Sequence, residues 1–520
     1  MPASTIRRNA RPLDPALLAK LPLFKGSLLP ALVRAEQVRT TRHARVDRDH
    51  KMALGQFLTP AATARFAASF FQTNARPIRL LDAGAGAGAL LAACLERFGT
   101  IDKVDAVETD AELLVPLAET VAAARRGGAR VRIVSDCFMR WSLDCPGGGG
   151  PRYTHAILNP PYGRLPAGSA TQTALREASL HVSNTYTAFV ALALRRLLPG
   201  GELVAILPRS FFAGPTHIAF RRWLLDRAAL RRIHLFERRD AIFRDDGVLQ
   251  EIVMVHLRRG VGQGPVTVST STDDSFSDLV ATKHPPSAVF RPGDARRCIR
   301  IPTPRAAVPL DARAGFDRTL SDMGVSVSTG PVIKSRVRGL LRPADAEDAL
   351  PLLHTSHHVG PDIAWPSSIG RDDDALATNA PVRLTYPRGH YVLVRRYSFK
   401  EAPRRVMAAL LRPKDLPAGT ARFSVQDRYN ILHVDRAGLP DTLAAGLTAY
   451  LGTTLVDEHV RSVSGTTQIN ATDLRTLPCP SRDILTALGV WAVRQPSWPD
   501  SSSLDDRLAS LMQEAATPDS

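Results

Sequence analysis

The chain has 520 residues, carries 67 Lys and Arg against 50 Asp and Glu for a formal net charge of +17, and is 44% hydrophobic. Such a length and apolar fraction exclude a disulfide-stapled mini-protein and a disordered chain, and set an expectation of about three folding units. The charge favours phosphate-rich partners, nucleic acid first, although a GC-rich genome that favours Arg codons would give the same balance.

Residues 1–50 read as an N-terminal extension. Arg7, Arg8, Arg11 and Lys20 there are not followed by an apolar signal region, and no run in the chain approaches the ~18 apolar residues of a membrane span. Neither secretion nor membrane insertion is expected. From 51 to 260, short apolar runs alternate with segments of helical period, the pattern of a parallel sheet covered by helices. Strands are predicted over 78–82, 104–108, 131–134, 155–158, 202–207, 232–236 and 251–257. Helices are predicted over 89–98 and 186–198, the second stopped by Pro199-Gly200-Gly201. The fold class is α/β, a doubly wound catalytic domain. The glycine run 147–150 reads as an insertion loop. Residues 261–310, rich in Ser, Thr, Pro and Gly, read as a linker. A mixed α+β domain is expected over 311–480, with a strand over 391–397 and a helix over 439–451. Residues 481–520 read as a C-terminal tail, mobile from Pro496. Five scattered cysteines without paired spacing show neither a disulfide framework nor a zinc ribbon, which fits a reducing, cytoplasmic setting.

The chemistry concentrates at three strand ends. After the first strand, Asp82-Ala83-Gly84-Ala85-Gly86-Ala87-Gly88 opens a helix, and glycines there permit a tight turn and close approach of a ligand. The spacing G-x-G-x-G differs from the G-x-G-x-x-G of a dinucleotide site and suits a ligand without a pyrophosphate. Glu108 ends the second strand, where a carboxylate accepts from ribose hydroxyls, and Asp136 closes the third, where an acid accepts from an adenine amino group. Taken singly, either acid is an ordinary helix cap or turn residue. Together with Asp82 they describe an adenosine site. The fourth strand ends in Asn159-Pro160-Pro161-Tyr162-Gly163, whose prolines hold the Asn carboxamide and the Pro160 carbonyl in one rigid turn.

This combination resembles the amino-group DNA methyltransferases that use S-adenosyl-L-methionine, and specifically the gamma-ordered adenine-N6 class. Cofactor motifs come first, Asn-Pro-Pro-Tyr next, and a target-recognition domain follows. Gly55-Gln56-Phe57-Leu58-Thr59-Pro60 looks like the family's segment before the glycine turn, and implies Thr59 near the methionine carboxylate. Downstream, Val392-Leu393-Val394-Arg395-Arg396-Tyr397-Ser398 and the stretch from Ser464 to Arg475 resemble PstI/BsuBI-type modification methylases. The resemblance spans about residues 51–480.

It implies a site-specific enzyme that methylates N6 of a flipped adenine in double-stranded DNA and protects the site from a cognate restriction endonuclease. The expected catalytic residues are Asn159, Pro160, Pro161 and Tyr162, with Phe243 as a second aromatic. Expected cofactor residues are Thr59, Asp82, Gly84, Gly86, Gly88, Glu108, Asp136 and Cys137. The family places an aromatic after the third-strand acid; here Cys137 stands in that place, with Phe138 next to it as the alternative. The chemistry needs no metal, because two acceptors facing the amine and a well-placed methyl donor suffice.

Lys334, Arg336, Arg395 and Arg396 are candidate DNA contacts, each also readable as part of a solvated face. His354-Thr355-Ser356-His357-His358 has metal-like spacing but no adjacent acid, and reads as a polar loop of the recognition domain. Asp49-His50-Lys51 is the sole upstream candidate for a nuclease acid-x-Lys unit and lacks a partner, so the chain reads as methylase only. Rival readings are a methyltransferase acting on N4 of cytosine, on RNA or on a glutamine side chain, and a non-catalytic DNA-specificity protein.

Overall fold

The computed structural model describes residues 30–45, 57–72, 77–144, 153–238, 251–291, 293–302, 310, 313–366, 373–399, 402–463 and 467–516. The chain divides into two compact units, Met1–Pro302 and Thr303–Ser520.

In the first unit the apolar runs become strands β1 (Arg79–Ala83), β2 (Lys103–Glu108), β3 (Arg130–Ser135), β4 (Tyr153–Leu158), β5 (Leu197–Pro208), β6 (Ala228–Phe236) and β7 (Ile252–Arg259). They continue into β8 (Val266–Ser271) and β9 (Val280–His284) to form one nine-stranded sheet of order β3-β2-β1-β4-β5-β7-β6-β8-β9 among the described residues. Strands β1 to β5 run parallel, and β7 is antiparallel to both neighbours. The helices are α1 (Pro30–Arg45), α2 (Ala61–Ala68), α3 (Ala89–Phe98), α4 (Ala111–Arg126), α5 (Phe138–Leu143), α6 (Ala170–Glu177), α7 (Thr185–Arg196) and α8 (Ile218–Leu225).

Alternation along β1 explains the two layers. Leu81 and Ala83 join the core that holds Phe138, Leu175 and Tyr186 from α5, α6 and α7, while Leu80 joins the core of α2, α3 and α4 with Phe66, Leu91 and Leu117. The central parallel strands β1, β4 and β5 are therefore buried on both faces, as their near-continuous apolar runs require, while β3 at the edge is partly exposed.

Three expectations are corrected. The segment 261–310 is not a structureless linker, since β8 pairs parallel with β6 and β9 pairs antiparallel with β8. Its Ser and Thr content disguised a strand: Ser269 and Ser271 hydroxyls lie 3.0 and 3.2 Å from the two ring nitrogens of buried His234, while Val266 and Val268 face the core. Within the N-terminal extension, α1 is part of the first unit. Leu32 and Ala35 are buried, Arg42 pairs with Asp110 at 2.6 Å, and a Glu36 carboxylate oxygen accepts from the Ala61 N–H at 2.9 Å, at the start of α2. Its many arginines and threonines hid the apolar stripe. The third correction concerns the C-terminal tail, which forms helices.

Among its described residues the second unit contains a six-stranded sheet built around Tyr391–Arg395 and Tyr429–His433, and a five-stranded sheet around Ala349–Leu353 and Arg422–Val425. Helices α9 (Asp441–Leu451), α10 (Arg482–Val493) and α11 (Ser501–Ala516) pack with the first of these sheets. Glycine permits the crossing of α9 and α10: a Cβ on Gly446 would lie 1.8 Å from the Leu485 carbonyl oxygen, and one on Gly489 2.0 Å from that of Thr442. The serine run that reads as a mobile tail is the first turn of α11, where Asp500 accepts from the Ser503 N–H at 2.9 Å and Leu504, Leu508 and Leu511 repeat on one buried face. No helix of the described residues is long and apolar enough to cross a membrane.

Candidate active site

Because β1 to β3 lead one way across the sheet and β4 and β5 the other, the order reverses between β1 and β4, which are hydrogen-bonded neighbours with Asp82 opposite Ile157. Open α/β sheets bind ligands beyond the carboxyl ends of the strands at such a switch point. The glycine turn leaves β1 there, and Asn159 leaves β4 there.

Gly84, Gly86 and Gly88 have φ of +80°, +56° and +86°, a conformation that L side chains rarely adopt. A Cβ on Gly88 would sit 2.8 Å from Thr120 Cβ, and one on Gly86 3.0 Å from Leu58 Cδ2. The Gly84 and Ala85 N–H groups donate to the Val107 carbonyl at 3.0 and 2.9 Å, tying the turn to β2. Gly86 N–H donates to Glu108 Oε2 at 2.8 Å, and the Thr109 and Asp110 N–H groups donate to Oε1 at 2.9 and 2.8 Å. Glu108 therefore holds the glycine turn as well as standing where a ribose acceptor is expected.

Asp82 shares the face of Leu80, beneath α3. It is fully buried, and no side chain among the described residues hydrogen-bonds either carboxylate oxygen; the Leu91 backbone N–H is the group that acts to lower its carboxyl. Burial, helped by the Glu108 charge, pushes its carboxyl up to about 8. Asp136 differs. Its Oδ1 accepts from the Cys137 N–H at 2.6 Å and from Arg140 Nε at 2.9 Å, and the Arg140 hydrogen bond holds the carboxyl below its usual range. Phe138 is committed to the core against Phe189, with ring centroids 4.9 Å apart, and against Trp141 at 6.0 Å, so Cys137, half-buried at the start of α5, is the one with surface to offer.

The Asn159 carboxamide is held on both sides. Its Nδ2 donates to the Phe57 carbonyl at 2.9 Å and to Thr59 Oγ1 at 3.0 Å, and its Oδ1 accepts from the Tyr162 hydroxyl at 2.8 Å. The Tyr162 ring lies 5.8 Å from Phe57 and 6.5 Å edge-on from Tyr186, and burial raises its phenol well above the ordinary value. Thr59, expected near a cofactor carboxylate, thus also touches the Asn159 amide, a link across 100 positions with no sequence signal. Pro160 is buried and Pro161 half-buried in the same turn. Phe243, the glycine run 147–150, Gly55 and Gln56, Asp49 to Lys51 and residues 464–466 lie outside the described residues.

Among the basic candidates of the second unit, Lys334 pairs with Asp373 at 2.6 Å, and Arg336 is exposed. Arg395 is half-buried, with Nη1 3.8 Å from Met407 Sδ. Arg396 donates to the Asp427 carbonyl at 2.5 Å, and its guanidinium lies 5.7 Å from the Tyr397 ring. Two residues not singled out from sequence stand beside it: exposed Arg428, 5.2 Å from the same ring, and Gln468, whose Nε2 donates to the Tyr397 hydroxyl at 3.2 Å.

The His354–His358 segment is not an exposed polar loop with no acid nearby. His354 and His357 are buried, and Asp374, fully buried, accepts from His354 Nε2 with Oδ1 and lies 3.4 Å from His357 Nε2 with Oδ2. These three side chains have metal-ligating types and reach. However, the His354 backbone N–H donates to His357 Nδ1 at 3.1 Å, which places the His357 proton on Nε2, toward Asp374. His354 is thus hydrogen-bonded to both Asp374 and His357, with the His357 Nε2 close to Asp374, and burial drives the His357 ring down to about 4, keeping it neutral.

The family model described as Eco57I restriction-modification methylase matches residues 149–243, which include Asn159 to Tyr162. The type II methyltransferase M.BsuBI of Bacillus subtilis is 37% identical over 477 residues, covering 89% of this chain and 95% of its own length; M.PstI of Providencia stuartii is 33% identical over 469 residues, covering 87% and 92%. Among solved structures, the type IIL restriction-modification enzyme MmeI, determined in complex with DNA, aligns with a TM-score of 0.55 at 10% identity, covering 97% of this chain and 76% of MmeI, a likeness of fold. The strand order, the glycine turn beside Asn159-Pro160-Pro161-Tyr162, and identity sustained along nine-tenths of the chain converge, and this protein belongs to the type II methyltransferase family of M.BsuBI and M.PstI.

Proposed function

We propose that this methyltransferase transfers a methyl group from S-adenosyl-L-methionine to the N6 amino group of an adenine flipped out of double-stranded DNA, and so shields one site from a cognate restriction endonuclease. The observation that carries this reading is the Asn159 carboxamide, fixed by Phe57 and Thr59 beside the Pro160 carbonyl at the sheet's switch point. The pocket's donors and acceptors fit the cofactor. The glycine turn is tied to β2 and to Glu108 by its own N–H groups, carboxylates stand at the ends of β1, β2 and just beyond β3, and buried Asp82 carries acceptor capacity that protein side chains do not use. Thr59, Asp82, Gly84, Gly86, Gly88, Glu108, Asp136 and Cys137 would hold it. When bound, it supplies a sulfonium methyl to the amine lone pair, and the sulfur departs as a neutral thioether.

The chain's own work is binding and orientation. An exocyclic amine is a poor nucleophile because its lone pair is conjugated into the ring. Asn159 Oδ1 and the Pro160 carbonyl accept its two N–H groups and favour the pyramidal nitrogen of the transition state. The nitrogen then sheds one proton to solvent, so no general base is demanded. A base inside a duplex must be extruded and gripped by flat faces. Tyr162 supplies one, with Phe57 and Tyr186 behind it and Phe243 as a second aromatic. Arg336 and Arg396, with Lys334 and Arg395, are assigned to DNA, joined by Arg428, Tyr397 and Gln468 around one exposed ring.

The test is single-molecule sequencing of DNA from a methylation-free host expressing this chain, beside Asn159→Ala. Modified adenines in one short motif, with the wild type alone, support the reading. Modified cytosines, or none, refute it.

A further inference from the structure

We infer that Thr59 is a positioning residue that couples occupancy of the cofactor pocket to the orientation of the Asn159 acceptor; this rests on the reading of that pocket as an S-adenosylmethionine site. A carboxamide is nearly symmetric in shape, so what decides which end faces the target amine is the pattern of its neighbours. The Phe57 carbonyl accepts only, which forces Nδ2 toward it and leaves Oδ1 on the opposite side, where the Tyr162 hydroxyl now donates at 2.8 Å. Thr59 Oγ1 takes the second Nδ2 hydrogen at 3.0 Å. Since that hydroxyl accepts from Asn159, its own hydrogen is directed elsewhere, and it has no acceptor among the described residues. Thr59 as a residue is 7% exposed, so bulk water offers little in its place. An anionic group of the bound cofactor is the acceptor chemistry that completes it.

The connection is also mechanical. Leu58 lies against the glycine turn, 3.0 Å from where a Gly86 Cβ would be, while its neighbours Phe57 and Thr59 both hold Asn159. The three-residue segment thus bridges the turn after β1 and the turn after β4. An anion accepting from Thr59 makes its oxygen a better acceptor for Nδ2, because hydrogen bonds in a chain polarise one another. Asn159 is then held most firmly when cofactor is present.

Thr59→Val removes the hydroxyl and keeps the shape, Thr59→Ala removes it without β-branching, and Thr59→Ser keeps it. With unmethylated plasmid DNA and saturating S-adenosylmethionine, the expected result is a fall in kcat of about tenfold for both hydroxyl-free variants, with wild-type kcat for Thr59→Ser. A residue that merely contacts cofactor would raise KM for S-adenosylmethionine and leave the saturated kcat unchanged. Calorimetric binding of S-adenosylmethionine by each variant certifies a folded pocket. Wild-type methylation with kcat of Val and Ala variants within twofold of it overturns the coupling and leaves the functional reading intact. Absence of wild-type methylation overturns the functional reading, and the coupling with it.

Discussion

Asp82 makes a quantitative prediction, because a carboxyl that is fully buried with no side-chain partner must shape the pH dependence of stability. Its folded value is pushed from 3.8 to about 8 by burial and by Glu108. The sign follows from proton counting. Between about pH 4 and pH 8 the folded chain keeps a proton on Asp82 that the unfolded chain has released, so raising the pH over this window disfavours the fold. Each pH unit well below 8 costs at most the energy of one pKa unit, and from pH 5.5 to 7.5 the loss is on the order of 2 kcal/mol. Asp82→Asn, a neutral side chain of the same shape, has no such proton to lose. Buried His217 and His357 and half-buried His358 act in the opposite sense: each is lowered to about 4 by desolvation, so each favours the fold as the pH rises from about 4 to 6.5. Those contributions are common to both chains and cancel in the difference. The assay is urea unfolding of wild type and Asp82→Asn, followed by circular dichroism at pH 5.5, 6.5 and 7.5. The variant should gain on the wild type steadily toward high pH. Two curves that stay parallel would show Asp82 ionised in the fold and refute the reasoning.

Further predictions concern the ring, the helix crossing and the histidine cluster. Tyr162→Ala should lower methylation about 10- to 100-fold through loss of base stacking, while Tyr162→Phe, which keeps the ring and frees Asn159 Oδ1, should stay within a few-fold of wild type in single-turnover assays. Equal losses in the two would transfer the role to the hydroxyl. Gly446→Ala drives a methyl toward the Leu485 carbonyl and should destabilise the chain by about 3 kcal/mol, read as a lower thermal midpoint. An unchanged midpoint would mean that α9 and α10 can separate without penalty. Asp374→Asn sets an amide nitrogen against one of two imidazole N–H groups and should cost about 3 kcal/mol. If added Zn²⁺ raised the wild-type midpoint and not that of the variant, the assignment of the His357 proton would be wrong.

How far the sequence carries depends on whether a feature is local. Strands β1 to β7 are readable because each is a short run rich in Val, Ile and Leu, whether its neighbours run parallel or, as for β7, antiparallel, and the glycine turn and Asn159-Pro160-Pro161-Tyr162 are contiguous words. β8 is not, because the positions that alternate with Val266 and Val268 are Thr and Ser, and only the two nitrogens of buried His234, far back in the chain, turn the Ser269 and Ser271 hydroxyls from loop residues into buried strand partners. The same distinction separates Thr59 from Asp82. That Asp82 ends a strand could be read locally; that no described side chain satisfies it could not, since that is a statement about every other residue. Thr59 and Asn159 meet only because β4 inserts beside β1, and His354 and His357 meet Asp374 only because the strand following that acid pairs with the strand preceding them. Spacing motifs search along the chain, whereas an acid brought in by sheet pairing arrives from the side. A histidine pair with no neighbouring acid in sequence is therefore weak ground for calling a loop polar, and its burial follows from the carboxylate that the sheet delivers.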